Sequence, residues 1–415
     1  MNARRVVVTG IGCVTPIGTG ADGLWAGIRA ERSAVRTLTR FDPSPFRTHM
    51  AAEIDDFDAG HYLDAKRAKR LDRFSGLTIV SAMMALRDAA LDPRSVHADR
   101  AGCHLGTALG GVAKGEEEHT KFIERGVREV DPAVALSVFP GAGSCNVAIE
   151  TGWTGPNVTN GMSCASGAMA IGEAYHVIRR GAADVIVAGG AEAPLAPLCF
   201  GAFAIIRAMS QRNDAPAVAS RPFDAHRDGF VMGEGAAMLV LEERGRALAR
   251  GARIYMEIIG FGTSNDAHHM TAPRPDGAEA ARAIRLALAD AAVQPHEIGH
   301  INAHGSSTSL NDVTEASALR QVFGVQGVRR VPVSGTKGYH AHALGASGAI
   351  EAAISALSLH HGWLPPCINL DAVDPGAADL DLIRGVGRAT RPEHVLSNSF
   401  GFGGINAALV FRRHA

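Results

Sequence analysis

Two segments far apart in the chain begin alike. Arg5-Val-Val-Val-Thr-Gly-Ile-Gly and Tyr255-Met-Glu-Ile-Ile-Gly-Phe-Gly each read as an apolar strand running into Gly-x-Gly, and each opens a run of alternating strand and helix patterns. A repeat of this kind points to a fold built from two similar halves, 1–252 and 253–415. Strands are expected at 5–8, 184–188, 236–241, 254–260, 299–303, 330–334 and 407–411. Helices are expected at 165–180, 278–292 and 344–361. Ala168, Ile171, Tyr175 and Ile178 share one face of the first, and Ile350, Ile354 and Leu357 one face of the third. Gly181 and Gly362 follow as stop signals. Short apolar strands between helices define an α/β layered fold.

Composition removes several classes of function. With 46% hydrophobic residues in 415, the chain can bury a sizeable core. A net charge of −1 offers no general attraction to nucleic acid or an anionic membrane. No apolar run is long enough to span a bilayer, and the one near the N-terminus is too short for a signal peptide. The six cysteines lack paired spacing and form no CxxC, so reduced thiols in a cytoplasm are expected, without disulfides or structural zinc. Gly10-Ile-Gly12 does not make a dinucleotide site, because Thr15 stands where the third glycine belongs and no helix opens there. The glycine-rich stretch from Gly106 to Gly111 lacks the Lys-Ser/Thr of a P-loop.

The chemistry lies in four loops. In Asn157-Val-Thr-Asn-Gly-Met-Ser-Cys-Ala-Ser-Gly, a strand ends, the chain turns, and a small-residue helix begins just after Cys164. Free N–H groups at a helix start favour an anion, so a thiol there is expected to ionise more easily and act as a nucleophile. A buried structural cysteine is the other reading of this segment alone. His304 ends a second strand. Asp312 and Glu315, after it, read as a helix capping box. Lys337 and His342 follow a third strand. His340 and His342 lack a third ligand at metal-binding spacing, so no metal site is expected. Phe400-Gly-Phe-Gly-Gly precedes the last strand. Ligands of α/β sheets gather at the carboxyl ends of strands, where all four loops fall, and a cysteine with two histidines is a coherent acyl-transfer set.

These motifs, in this order, resemble the β-ketoacyl-acyl carrier protein synthase family, the elongating synthase II type above all. The resemblance spans essentially the whole chain. It rests on Val7-Val-Thr-Gly-Ile-Gly, Cys164-Ala-Ser-Gly, Arg221-Pro-Phe-Asp, Arg227-Asp-Gly-Phe, Gly233-Glu-Gly-Ala, His304-Gly-x-Ser-Thr-x-x-x-Asp, Lys337-x4-His342 and Phe400-Gly-Phe-Gly-Gly-x-Asn. It implies a thiolase-like five-layered αβαβα sandwich of two pseudo-repeated halves. The first carries the nucleophile and cap insertions, the second the catalytic histidines and lysine.

The resemblance also implies residue roles. Cys164 takes an acyl group from a carrier-protein thioester. His304 and His342 bind the malonyl thioester, assist its decarboxylation and stabilise the enolate that attacks the acyl group. Lys337 pairs with Glu315, and the N–H groups of Cys164 and Phe402 form an oxyanion hole. Phe402 gates an acyl pocket lined by Leu109 and Phe203. Thr271 and Phe400 join the substrate-binding set, and Ser306 and Thr308 hold the phosphopantetheine arm. Lys66, Lys69, Arg70, Arg128 and Arg207 fall at carrier-docking positions. No metal or cofactor is implied beyond the carrier's phosphopantetheine. A cytoplasmic homodimer, or a heterodimer with a chain-length-factor-like subunit, is implied.

The chain departs from the family's usual residues at Met162-Ser163, Ser306, His340 and Ala341, beside the reacting atoms. These departures open a specialised polyketide or polyene pathway beside fatty-acid synthesis. A non-catalytic chain-length-factor subunit is the competing reading, and such subunits lack the nucleophile. A Cys–His hydrolase is disfavoured, because Met162 stands where its nucleophile elbow needs glycine.

Overall fold

Both Gly-x-Gly segments do the same structural job in the computed structural model, which describes residues 4–414. A Cβ at Gly10 would lie 2.2 Å from the Ala85 carbonyl oxygen, and one at Gly12 2.0 Å from that of Ser81. In the second half, Cβ atoms at Gly260 and Gly262 would lie 2.3 Å from the carbonyl oxygens of Ala287 and Ala283. In each half, two glycines let a helix cross directly on a strand, a close backbone approach that any side chain would block.

The strands of the main sheet are β1 (Val6–Thr15), β2 (Ala101–Gly106), β3 (Asn157–Asn160), β4 (Val185–Glu192), β5 (Gly235–Glu243) and β6 (Met256–Asn265). Then come β7 (Ile298–Asn302), β8 (Pro332–Ser334), β9 (Asp381–Leu382), β10 (His394–Gly401) and β11 (Ile405–Arg413). The order is β9-β8-β7-β10-β11-β6-β1-β5-β4-β2-β3, with Gly18–Thr19 also pairing on β1. Read outward from the β1–β6 contact, the two sides match: first strand, last strand, then the inner three in corresponding order. Val6–Val8 pair antiparallel with Met256–Ile258 at that junction.

Helices α1 (Arg73–Asp88), α2 (Ser166–Arg179), α3 (Pro197–Ile205), α4 (Ala278–Ala291), α5 (Asn311–Val328) and α6 (Ser347–His361) complete the scaffold. α1 packs on β1, β5 and β4, and α4 on β6 and β11. Between the halves lie α2 and α6, touching each other and strands of both. The result is an αβαβα sandwich. The middle layer is apolar almost all round, as a helix covered on every side must be. Every α6 residue from Ser347 to Leu359 is buried.

The expected strand at 5–8 continues to Thr15, because its glycines lie within the strand opposite α1 rather than in a turn. β3 is the strand expected before Cys164, whereas β2, β9 and β10 lie outside the strands expected from the sequence pattern. β3, β2 and β4 run parallel, as do β8, β7 and β10. The carboxyl ends of β3, β7, β8 and β10 lead into the four chemistry-bearing loops.

Candidate active site

The nucleophile loop is a tight joint. After β3, Ser163 adopts a left-handed φ of 48°, and a single 3-10 turn, Ser163–Ala165, leads into α2. Ser166 Oγ donates to the carbonyls of Ser163 (2.7 Å) and Thr107 (3.1 Å). A Cβ at Gly106 would lie 2.2 Å from the Ser166 carbonyl carbon, so only glycine allows this approach. Cys164 is left 9% exposed, one face on a cavity and the rest in an apolar cluster with Phe200, Phe230 and Leu344.

That burial corrects one expectation. The thiol is not acidified at rest: desolvation pushes it up to about 12, against the Lys337 charge and the Phe402 amide. Burial outweighs the helix start because little solvent reaches the sulfur to support a thiolate. The resting nucleophile is therefore a thiol, and its proton must leave as the acyl group arrives.

His304 and His342 converge on the same cavity from the ends of β7 and β8. The two imidazoles line it with their ring centres 5.4 Å apart. Lys337 is fully buried behind them. Its ammonium donates to the His304 carbonyl and to Glu351, and lies 3.4 Å from His304 Nδ1. The expected Lys337–Glu315 pair is not formed. Glu315 instead accepts from the amides of His304 (2.8 Å) and Gly305 (2.9 Å) and from Asn398 Nδ2 (3.0 Å).

Nor do Asp312 and Glu315 form a capping box. α5 begins at Asn311, so both carboxylates point inward from its first turns. Asp312 accepts from the Phe223 amide at 2.7 Å and faces Arg227. Sequence reasoning missed Glu351. Its signal was a lone carboxylate within the apolar run of α6, a position that demands a buried cation.

An ammonium only donates, so His304 Nδ1 must accept and Nε2 must carry the proton. His342 Nδ1 faces Ser347 Oγ at 2.8 Å, and with the serine donating, its Nε2–H also points at the cavity. A parallel bridge to Met232 fixes the His342 backbone. Burial and the Lys337 charge hold both imidazoles far below the ordinary histidine range. They are neutral hydrogen-bond donors.

Ala341, just before His342, has φ 59° and ψ −162°, a region nearly restricted to glycine. His340 is fully buried with neither ring nitrogen hydrogen-bonded and does not line the cavity.

The glycine loop after β10 supplies the remaining wall. A Cβ at Gly401 would lie 3.1 Å from the Cys164 amide nitrogen, and Gly403 and Gly404 are left-handed. The amides of Cys164 and Phe402 both face the sulfur. The Phe402 ring stacks on Phe203 at 6.2 Å.

Among the other expected residues, Thr271, Ser306, Thr308, Phe400 and Arg207 line this cavity with Phe203. Ser306 Oγ and Thr308 Oγ1 lie 2.9 Å apart. Leu109 does not line the cavity; it is partly buried against the apolar cluster that contains Cys164. Lys66, Lys69, Arg70 and Arg128 are exposed on the surface and do not reach the cavity.

The chain is similar to known proteins over its whole length. Residues 3–247 match the family described as β-ketoacyl synthase, N-terminal domain, and residues 255–371 its C-terminal domain. The chain belongs to the β-ketoacyl synthase family. It is a ketosynthase, an acyltransferase. It is 43% identical over 414 residues to a 3-oxoacyl-[acyl-carrier-protein] synthase 2 of Synechocystis sp., covering 100% of this chain and 99% of the relative. It is 41% identical to the corresponding Vibrio cholerae protein, with 100% of each covered.

A Burkholderia phymatum β-ketoacyl synthase superposes with a TM-score of 0.92 at 39% identity, covering 99% of this chain and 100% of that one. A type II polyketide ketosynthase, solved with its acyl carrier protein and bound to a hexaketide, gives 0.92 at 33% identity with 100% of each chain covered. The ishigamide ketosynthase/chain length factor gives 0.93 at 35% identity, again with 100% of each covered.

Proposed function

We propose that the site carries out decarboxylative Claisen condensation between an acyl group on Cys164 and a malonyl group on acyl carrier protein, in fatty-acid or type II polyketide synthesis. First, Cys164 attacks the acyl thioester. Its proton passes directly to the departing phosphopantetheine sulfur as the old C–S bond breaks. The malonyl thioester then binds with its carbonyl oxygen on the Nε2–H groups of His304 and His342. Carbon dioxide leaves, and the two donors stabilise the enolate. Its carbon attacks the Cys164 thioester while the Cys164 and Phe402 amides stabilise the oxyanion. The C–S bond breaks, giving the β-ketoacyl thioester and a Cys164 thiolate, which takes a proton from water to restore the thiol. The chemistry needs no metal and no cofactor beyond the carrier's arm.

One observation carries this reading: a thiol, two neutral imidazoles and two amides face a single cavity. It also favours an enzyme over a non-catalytic chain-length-factor-like subunit. Intact mass measurement after incubation with acyl carrier protein tests the choice. The enzyme gains the acyl mass, and a non-catalytic subunit gains nothing.

Neutral imidazoles set the pH dependence. A histidine whose folded-state pKa is depressed stays uncharged as acidity rises through its ordinary range. Malonyl decarboxylation is therefore expected to change by less than about twofold between about pH 8 and about pH 6. A sigmoidal step at the ordinary histidine value would show that an imidazolium is required.

Arg207 stands at the cavity wall with a left-handed φ of 59°, and Lys66, Lys69, Arg70 and Arg128 add exposed positive charge elsewhere. We assign these five residues to docking of an acidic carrier. Reversing charge at Lys69 and Arg70 is expected to raise KM for carrier-bound acyl groups about tenfold and leave small thioesters within about twofold. Equal loss with both substrates would indicate misfolding and remove the docking role.

The sheet ends at β3, beside which Val158, Ile149 and Met162 expose apolar side chains. An open strand edge with apolar neighbours favours pairing with a second subunit, either a copy of this chain or a chain-length-factor-like protein. We place the boundary between the halves at 252/253, after which β6 opens the second Gly-x-Gly unit. Among the described residues no helix is long and apolar enough to cross a membrane. The six free cysteines support a cytoplasmic location.

A further inference from the structure

One buried carboxylate next to the thiol takes no part in the chemistry above. Glu192 ends β4, is fully buried and does not line the cavity. It accepts four hydrogen bonds: from Thr107 Oγ1 (2.9 Å) and the amides of Ala108 (2.6 Å), Leu109 (3.1 Å) and Gly345 (2.9 Å). The donors come from two loops far apart in sequence. One follows β2 and carries Leu109. The other follows His342 and carries Leu344.

Leu344 belongs to the apolar cluster that contains Cys164, and Leu109 packs against that cluster. The junction has no slack. A Cβ at Gly345 would lie 2.4 Å from the Ala108 nitrogen and 2.7 Å from Glu192 Oε2, and Leu344 is held at φ 40°. Three backbone N–H groups aimed at one side chain can be satisfied together only by a carboxylate. Burial raises its pKa to about 7, and those same donors oppose the shift. An acceptor this costly to bury is retained where it fixes a geometry.

We propose that Glu192 is a positioning residue that sets acyl-chain selectivity by clamping Leu109 and Leu344 against the Cys164 thioester. The proposal rests on the acyl-transfer reading above. An acyl group on the sulfur must extend into the surrounding apolar cluster, where these two leucines stand. A short acetyl group would touch little of this cluster, whereas a long chain would extend further into it.

The test compares Glu192→Gln and Glu192→Asp with wild type in acyl transfer from carrier-bound acetyl, octanoyl and dodecanoyl groups, alongside thermal denaturation. Gln keeps the shape but sets an NH2 against N–H donors. Asp keeps the charge but withdraws it by one methylene. In the Gln variant, KM for dodecanoyl is expected to rise about tenfold or more, with acetyl within about twofold and kcat little changed. Asp should recover part of the dodecanoyl affinity. Should Gln fail to fold, the Asp variant alone must show the same length-dependent rise. A loss uniform across chain lengths that follows the folded fraction, or no change, overturns the proposal. Wild type failing to load any of the three groups would overturn the acyl-transfer reading itself, a distinct outcome.

Discussion

Cys164→Ala is expected to abolish acyl loading while leaving the fold intact. The methyl group fits where the thiol packed, and the neighbours that shape the loop, Ser166 and Gly106, are unchanged. Thermal stability should therefore fall by no more than about 1 kcal/mol, the scale of a small buried truncation. Condensation should drop by many orders of magnitude, because no other described thiol lines the cavity. Malonyl decarboxylation should persist, since the enolate forms on His304 and His342 without the sulfur. Intact mass and carbon dioxide release, measured side by side, separate the two half-reactions. Acyl mass appearing on the variant would end the nucleophile assignment.

Lys337→Met is expected to be the most destabilising single change in the site. The ammonium is the charged partner of Glu351, and both side chains are wholly buried. One Glu351 oxygen already has no hydrogen-bond partner, and burial raises the carboxyl to about 7. Removing the cation strands a buried carboxylate, at a cost of about 3–5 kcal/mol. Without Lys337 the folded carboxyl pKa rises further above its unfolded value. Its proton is then retained below that value and lost as pH rises, so the destabilisation should be greater at about pH 8 than at about pH 6. Adding Glu351→Gln should recover most of the stability in urea denaturation. It should not recover condensation, because His304 Nδ1 still lacks the donor that fixes its tautomer. Full activity in the double variant would show that Lys337 serves only as a counter-ion.

The parts of the site legible in the sequence are those whose chemistry is local. A thiol between a strand and a small-residue helix, a histidine at a strand end, and a glycine-rich loop before the last strand are each written in consecutive residues. The structure brings Cys164, His304, His342 and Phe402 to one cavity. Pairings across the fold were not legible. Lys337 meets Glu351 rather than Glu315 because α6 runs through the middle layer beside β10 and β4, a relation that no local pattern encodes. The acidity of Cys164 was misjudged for a similar reason. The helix start is local, but the apolar cluster that desolvates the sulfur is assembled from α3 and from distant segments that carry Leu38, Phe230 and Leu344.

The fold shows the same division. β1 and β6 announce themselves by apolar runs, and their glycines by repetition. β2, Ala-Gly-Cys-His-Leu-Gly, and β10, His-Val-Leu-Ser-Asn-Ser-Phe-Gly, do not, because small and polar residues fill positions where a helix or a loop backbone presses close. Gly102 lies against the Pro156 carbonyl, and Gly106 against Ser166. Such strands follow the demands of packing rather than hydrophobic periodicity.

A single-turnover experiment tests the central claim most directly. Enzyme loaded with a labelled acyl group on Cys164 is mixed with malonyl-acyl carrier protein, and the carrier and the enzyme are both weighed. The account predicts that the label leaves Cys164 and appears on the carrier as the β-ketoacyl product, with one carbon dioxide released per label transferred. Label remaining on the enzyme while carbon dioxide is released, or leaving as free acid, would contradict it.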